Sequence, residues 1–226
     1  METLTNGYTL QIYEGCFPLS TDSMVLSHFT KLPKNARVLD LGAGCGTLGL
    51  LLCAKDDTCR VTGVELSESA HLCALENIAQ NNLQSRMESI CGDLRSIQLH
   101  PGSFDCCVSN PPYFTGGPAA KLSAARREDS CTAHQLFHAA AKSLKYGGDF
   151  FIVHRPERLA ELCACGTSVG LEAKRLCLLR HKEGGAVALV LLQFRKGAKP
   201  GLVWEELCLH DRNGNPTDAY RHIYHS

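Results

Sequence analysis

From residue 37 onward, two hydrophobic patterns take turns along the chain. Short β-rich runs stand at Arg37–Leu41, Arg60–Glu65, Met87–Cys91, Phe104–Ser109 and Asp149–His154. Helical periods lie between them: one near Thr47–Ala54, one opened by Ser67 as N-cap and running to about Asn81, and one over Thr132–Leu144 that Gly147 and Gly148 should stop. Pro156 stands at the start of a further helix, Glu157–Cys165. Strands alternating with helices predict parallel βαβ units, because a crossover helix is what returns the chain to begin a neighbouring parallel strand. The tail reads differently. Leu171–Leu179 and Ala186–Phe194 are strand-like and joined by a short polar link containing Gly184 and Gly185, which predicts a closing antiparallel hairpin. A last strand around Val203–Leu209 and a turn at Asn213–Pro216 precede a short C-terminal helix. Near the N-terminus, Thr21–Leu26 looks like a capped helix start, and the segment between Tyr113 and Thr132 reads as the one long loop.

A length of 226 residues suits a single domain, 1–226, with a core of useful size. Hydrophobic residues at 44% and charged residues at 20% exclude a largely disordered chain. No apolar run reaches membrane-spanning length, and the start lacks the basic and apolar regions of a signal peptide, so a cytoplasmic protein is expected. Thirteen cysteines, an odd number without paired Cys-x-x-Cys spacing, predict packing thiols rather than a disulfide framework or a metal site. Cys45, Cys53, Cys73, Cys91 and Cys107 sit in apolar segments, as buried small hydrophobes would. The formal net charge is zero, yet Lys121, Arg126 and Arg127 cluster in the long loop, and Arg155 and Arg158 follow a strand. A basic face on a neutral protein suits nucleic acid. No signal for or against an assembly is legible in the sequence, so it leaves the oligomeric state open, a monomer included.

Two strand ends carry the candidate chemistry. Asn110-Pro111-Pro112-Tyr113 follows Phe104–Ser109, and its two prolines forbid both a helix and a continued ladder, so an amide and an aromatic ring stand on a stiff corner. Asp40-Leu41-Gly42-Ala43-Gly44-Cys45-Gly46 spans the end of the first strand and its turn, where glycines let a ligand pass close to the backbone. Glu65 ends the next strand about twenty residues on, the spacing of an acid that grips ribose hydroxyls. Asp93, just past the third strand, is placed to reach an adenine amino group. Gly44-Cys45-Gly46-Thr47-Leu48-Gly49 also satisfies the dinucleotide pattern, but the Asp40 carboxylate would oppose a diphosphate, whereas a sulfonium and an ammonium suit an acidic pocket.

Taken together, these motifs resemble class I S-adenosylmethionine-dependent methyltransferases that modify exocyclic or amide nitrogens. With Phe17–Leu26, Ala125–Glu128 and His154–Leu159 added, the chain resembles the bacterial tRNA1(Val) adenine-N6 methyltransferases from about Leu10 to its C-terminus. The resemblance implies a Rossmann-like α/β fold: a seven-stranded, mostly parallel sheet with a C-terminal antiparallel hairpin and helices on both faces. It implies that residues 1–33 form an extension capping the cleft. Thr21, Asp22, Asp40, Gly42, Gly44, Gly46, Glu65, Leu66, Asp93, Leu94 and Asn110 would hold S-adenosylmethionine, with no metal. Asn110, Pro111, Pro112 and Tyr113 would present the target base, and Lys121, Arg126, Arg127, Arg155 and Arg158 would hold tRNA. The expected reaction is methylation of the N6 of the adenine beside the anticodon of tRNA-Val. Methylation of a glutamine N5 in release factors is the alternative acceptor, a non-catalytic RNA-binding module a second, and a dehydrogenase a remote third. Cys106 and Cys107, inside their strand on opposite faces, are expected to pack rather than act as nucleophiles, and the histidines to be surface or core residues.

Overall fold

The structure is a computed structural model that describes residues 2–4, 7–14, 16–111 and 131–224. Pro112, Tyr113, Lys121, Arg126 and Arg127, with the long loop itself, lie outside them. After a two-residue ribbon, β1 (Glu2–Thr3) and β2 (Thr9–Leu10), the elements are α1 (Thr21–Phe29), β3 (Arg37–Leu41), α2 (Thr47–Lys55), β4 (Arg60–Glu65), α3 (Glu68–Gln80), β5 (Met87–Cys91) and β6 (Phe104–Ser109). Then come α4 (Ala133–Ser143), β7 (Leu144–His154), a 3-10 turn (Pro156–Arg158), α5 (Leu159–Ser168), β8 (Leu171–Lys182), β9 (Val187–Lys196), β10 (Val203–His210) and α6 (Asp218–Tyr224).

Eight strands form one sheet in the order β10-β8-β9-β7-β6-β3-β4-β5. The resemblance implied seven. The eighth is β10, which pairs parallel to β8 from Val203 against Arg175 to His210 against Lys182 and extends the edge beyond the hairpin. The hairpin itself pairs antiparallel, and β9 also runs antiparallel to β7. β3, β4, β5, β6 and β7 are parallel neighbours. From β3 the chain winds one way through β4 and β5, then returns to place β6 and β7 on the other side of β3. The switch point between β3 and β6 is where an open α/β sheet leaves a crevice at its carboxyl edge.

Alternation along the strands sorts the core into two layers. Val38, Cys106, Val108, Phe151 and Val153 pack with Val25 and Leu26 of α1, Leu52 of α2 and Ile223 of α6. Leu39, Leu41, Cys107, Phe150 and Ile152 face the other way, onto Phe137 and Ala140 of α4 and Leu162 of α5. There the Phe137 ring meets Phe150 and Phe194 edge-on at 5.1 and 5.0 Å. Cys106 and Cys107 thus fall in opposite layers, and burial pushes both thiols far up, out of nucleophilic range.

Two local expectations need correction. Gly147 and Gly148 do not stop the helix: α4 ends at Ser143, and the strand begins at Leu144, which is fully buried opposite Phe104. Burying Leu144 in the ladder outweighs the glycine signal, and Gly147 takes φ +80° within the strand. Cys91, expected among the buried thiols, is exposed at the end of the edge strand β5, whereas Cys45, Cys53, Cys73 and Cys107 are buried. Among the described residues no helix is long and apolar enough to cross a membrane, and no group of His, Cys, Asp or Glu could hold a metal ion.

Candidate active site at the carboxyl edge of the sheet

Asp40 stands one residue before the end of β3, opposite Val108 of β6, so the glycine turn and the Asn110 corner leave the sheet side by side. The Ser109 hydroxyl donates to the Leu41 carbonyl at 2.7 Å and ties the two strand ends together. A cavity of about 200 Å³ opens above them, lined by Asp40, Gly42, Gly44, Asn110 and Pro111 from the sheet edge and by Phe17, Ser20, Asp22 and Ser23 from the N-terminal segment. A second cavity of about 310 Å³ shares Gly42 and Pro111 as a wall and reaches Leu94, Leu136, His154, Arg158 and Glu161.

The electrostatics of the first cavity favour a positively charged group. Asp40 is 1% exposed, and its Oδ2 has no hydrogen-bond partner among the described residues. Burial raises its pKa to about 7, the neighbouring Glu65 carboxylate adds to the rise, and the Gly49 amide pulls the other way. Asp22, at the first turn of α1, is also raised by burial, against opposing pulls from Arg155 and His181. Gly42 and Gly44 have φ of +78° and +57°, and a Cβ built on either meets nothing within 4 Å, so both backbones border open space. An orphaned buried carboxylate beside a bare backbone cradle fits an amino-acid group carrying an ammonium, and it fits S-adenosylmethionine better than a diphosphate.

The other sequence-derived cofactor residues fall around the same edge. Glu65 accepts from the Gly44 amide at 2.8 Å and from the Ser67 amide at 2.8 Å, which holds its carboxylate under the glycine turn. Leu66 beside it is 52% exposed, an apolar surface with nothing packed over it. Gly46 is the N-cap of α2 at φ +81°. The Thr21 hydroxyl oxygen accepts from Tyr224 OH at 3.0 Å. Asp93 is engaged within the chain: both of its oxygens accept from Arg95, with Nη2 to Oδ2 at 2.5 Å and Nε to Oδ1 at 2.9 Å, and that pairing lowers its pKa. An adenine amino group at this point would have to share Asp93 with a guanidinium.

At the corner, Asn110 Nδ2 donates to Ser23 Oγ at 2.9 Å, which ties the corner to the first turn of α1. Arg155 reaches the Ala188 carbonyl with Nη1 at 3.4 Å. Arg158 forms a bidentate pair with Glu161, one contact being Nη2 to Oε1 at 2.7 Å, so its charge is partly neutralised on α5. His154 at the end of β7 is 8% exposed, its Nδ1 accepts from the Arg155 amide at 2.8 Å, and burial followed by the nearby Arg158 charge lowers its pKa to about 4. It is therefore a neutral imidazole on a cavity wall. Phe17, Ser23, His154 and Glu161 line these cavities although the sequence motifs did not mark them as site residues. Phe17, Ser23 and His154 stand inside the segments that carry the family resemblance, which was the available signal, whereas nothing local marks Glu161.

Comparison with known proteins agrees with this geometry. Residues 20–162 match the family model described as "Methyltransferase small domain". A Tolumonas auensis protein named tRNA1(Val) (adenine(37)-N6)-methyltransferase is 34% identical over 198 residues, covering 85% of this chain and 82% of that protein. A Bacteroides fragilis protein of the same name is 30% identical, covering 78% and 76%. A crystal structure from Agrobacterium tumefaciens, titled a predicted O-methyltransferase, superposes with a TM-score of 0.77 at 20% identity, covering 90% of this chain and 95% of that one, and so shares the fold. With a family model spanning the glycine turn, the Asn110 corner and His154, the chain belongs to the methyltransferase small domain family.

Proposed function

We propose that this protein transfers a methyl group from S-adenosylmethionine to the exocyclic N6 of an adenine in tRNA, with the adenine beside the anticodon of tRNA-Val as its target. The observation that carries the reading is the meeting, in one cavity, of the orphaned Asp40 carboxylate, the glycine cradle and the Asn110 amide on its proline corner. The names of the relatives supply the acceptor. A cytoplasmic location and direct tRNA binding belong to the same reading.

S-adenosylmethionine, when bound, supplies a methyl group on a positively charged sulfur, so the acceptor nitrogen needs aim more than a strong base. Asp40 and Asp22 would face the ammonium end, and Glu65 the ribose hydroxyls. The lone pair of an adenine amino group is delocalised into the ring, which makes the nitrogen a poor nucleophile. Asn110 Oδ1 and the Pro111 carbonyl, both acceptors, would each take one N–H of that amino group and draw its nitrogen toward a pyramidal shape. Tyr113 would stack on the base, worth about 1–3 kcal/mol. Holding both reactants in line supplies much of the remaining acceleration. The N6 proton departs to solvent after transfer, since methylation renders that nitrogen strongly acidic. The target base has to leave any stack, which an anticodon loop allows. Residues 1–33 would cap the cleft through Phe17 and the first turn of α1, and Arg155 and Arg158, with Lys121, Arg126 and Arg127, would contact the RNA backbone.

The test is transfer of labelled methyl groups to bulk tRNA and, separately, to release factors. The expected outcome is label in tRNA as N6-methyladenosine, reduced about a hundredfold or more by Asn110→Ala, the scale of losing an oriented catalytic contact. Label confined to protein would overturn the acceptor, and unchanged transfer by Asn110→Ala would overturn the site.

A further inference from the structure

Helix α4 turns basic side chains toward solvent and offers no acid to balance them. Its 11 residues, Ala133–Ser143, contain neither aspartate nor glutamate. His134, His138 and Lys142 recur at four-residue spacing, and all three are exposed. That spacing stacks them along one face of the helix over about 12 Å. The dipole of a helix favours an acid in the first turn, and here a histidine stands in its place. Among the described residues none of the three side chains makes an ion pair or a hydrogen bond. Cations close by are engaged instead: Lys145 pairs with Asp105 at 2.5 Å, and Lys196 Nζ donates to the Ala141 and Leu144 carbonyls at 2.6 and 2.8 Å. Beside the strip lies a cavity of about 400 Å³, walled by the three basic residues and by Arg95, whose guanidinium is held by Asp93. No acid lines it among the described residues. Leu41 and Leu94 line this cavity and also the 310 Å³ cavity that has Pro111 on its wall, so the strip is continuous with the Asn110 corner.

A solvent-facing helix ordinarily mixes both signs of charge along its surface, and this one does not. What it presents is donors: three N–H bonds on the lysine ammonium, and one ring N–H on each imidazole when neutral or two when protonated. Such a strip repels metal cations and attracts anions. Its open length suits a row of repeated charges better than one small anion, and its continuity with the corner suits a chain whose base enters there. On a protein of zero formal net charge, attraction for a polyanion has to be local. We propose that α4 is a tRNA-contacting surface, with His134, His138 and Lys142 taking backbone phosphates of the strand that delivers the target base. The inference rests on the proposed reading of tRNA as the acceptor. It adds to Arg155 and Arg158 a set of contacts on the opposite side of the 310 Å³ cavity, so that the RNA is held on both sides of the entering base.

The test measures Kd for bulk tRNA against potassium chloride concentration in the full chain, for wild type, Lys142→Gln, Lys142→Arg, and a variant with His134→Gln, His138→Gln and Lys142→Gln together. Glutamine is a good helix former and these positions are exposed, so α4 should persist, and an unchanged Kd for S-adenosylhomocysteine would check that the fold does. One phosphate contact contributes about 0.7 to 0.9 to the salt slope, so Lys142→Gln should flatten the slope by that amount and weaken binding about 5- to 8-fold at about 0.1 M salt. The triple variant should lose about tenfold or more, and Lys142→Arg, which keeps the charge, should stay within about twofold of wild type. In turnover the loss should appear as a raised KM for tRNA rather than a lowered kcat. Wild-type affinity and slope in Lys142→Gln and in the triple variant would overturn the assignment, and so would an equal loss in Lys142→Arg, which would mark a structural role. Binding of release factor, but not of tRNA, that depends on the strip would overturn the RNA occupant. The two readings fail separately. Strip-dependent tRNA binding by a wild type that does not label tRNA removes the acceptor and keeps the surface, whereas labelled tRNA with undiminished binding by the triple variant keeps the acceptor and removes the surface.

Discussion

At the scale of single residues, Asp40 is the group whose environment makes the sharpest prediction. An acid with a folded pKa of about 7 and an unfolded value of 3.8 binds an extra proton in the fold between those two pH values. Stability should therefore fall as pH rises from about 4 to about 7 and then level off. Binding a ligand that carries an ammonium favours the ionised carboxylate, so affinity should run the other way, rising with pH up to about 7 and levelling above it. Calorimetry with S-adenosylhomocysteine, which retains the ammonium, should show proton release below pH 7. Asp40→Asn should flatten the pH profile and weaken binding at pH 8 by about 10- to 100-fold, the range of one charge-assisted hydrogen bond. An unchanged pH profile in that variant would show that another group titrates. Asp40 is legible in the sequence alone because an acid at a strand end beside glycines has few other uses. The hydrogen bond between Ser23 and Asn110 is not, since it joins positions 87 residues apart.

At the scale of elements, the alternation of short strands and helical periods was readable throughout the parallel half, and the pattern contained eight strand-like runs even though the family resemblance implied seven. Boundaries failed where tertiary burial overrode local punctuation, as at Leu144. The N-terminal segment was the least legible part, and the reason is physical: side chains of α3 hold part of it. Asn77, fully buried, accepts from the Gln11 amide at 2.7 Å and donates to the Gln11 carbonyl at 2.9 Å and to the Cys45 carbonyl at 2.9 Å. One turn on, Asn81 accepts from the Thr9 amide at 2.8 Å and donates to the Thr9 carbonyl at 2.7 Å. Two amides on a helix thus stand in for a neighbouring strand, and such a rung leaves no hydrophobic period to read. Asn77→Ala would remove hydrogen bonds to three main-chain groups at once, leaving the Gln11 carbonyl only the weak Cys73 thiol donor at 3.2 Å. It should lower stability by about 3 kcal/mol, read as a shift of the urea midpoint at constant slope. A midpoint within error of wild type would mean that the segment is held elsewhere.

At the scale of the whole molecule, a formal net charge of zero sets how RNA is met. Attraction has to come from local cationic groups, and several of those described are already engaged: Arg158 with Glu161, Arg175 with Glu205 and Arg195 with Asp149. Few phosphates should therefore be neutralised in the complex. The logarithm of tRNA affinity against the logarithm of salt concentration should have a shallow slope, about −0.7 to −0.9 per phosphate contacted. Replacing Arg155 and Arg158 together by Gln should reduce that slope by about 1 to 2 while leaving S-adenosylhomocysteine binding unaltered. A slope identical to wild type would place the RNA on another face.

The Ser109 hydroxyl, bonded to the Leu41 carbonyl between β6 and β3, carries one more consequence. It fastens the residue before Asn110 to the residue after Asp40, so the two lips of the crevice are clamped at their roots. No hinge lies between them, and their spacing is inherited from ladder register rather than chosen afresh at each turnover. Adjustment to differently shaped ligands is left to what overhangs the crevice, while the distance between its two lips keeps a constant gauge.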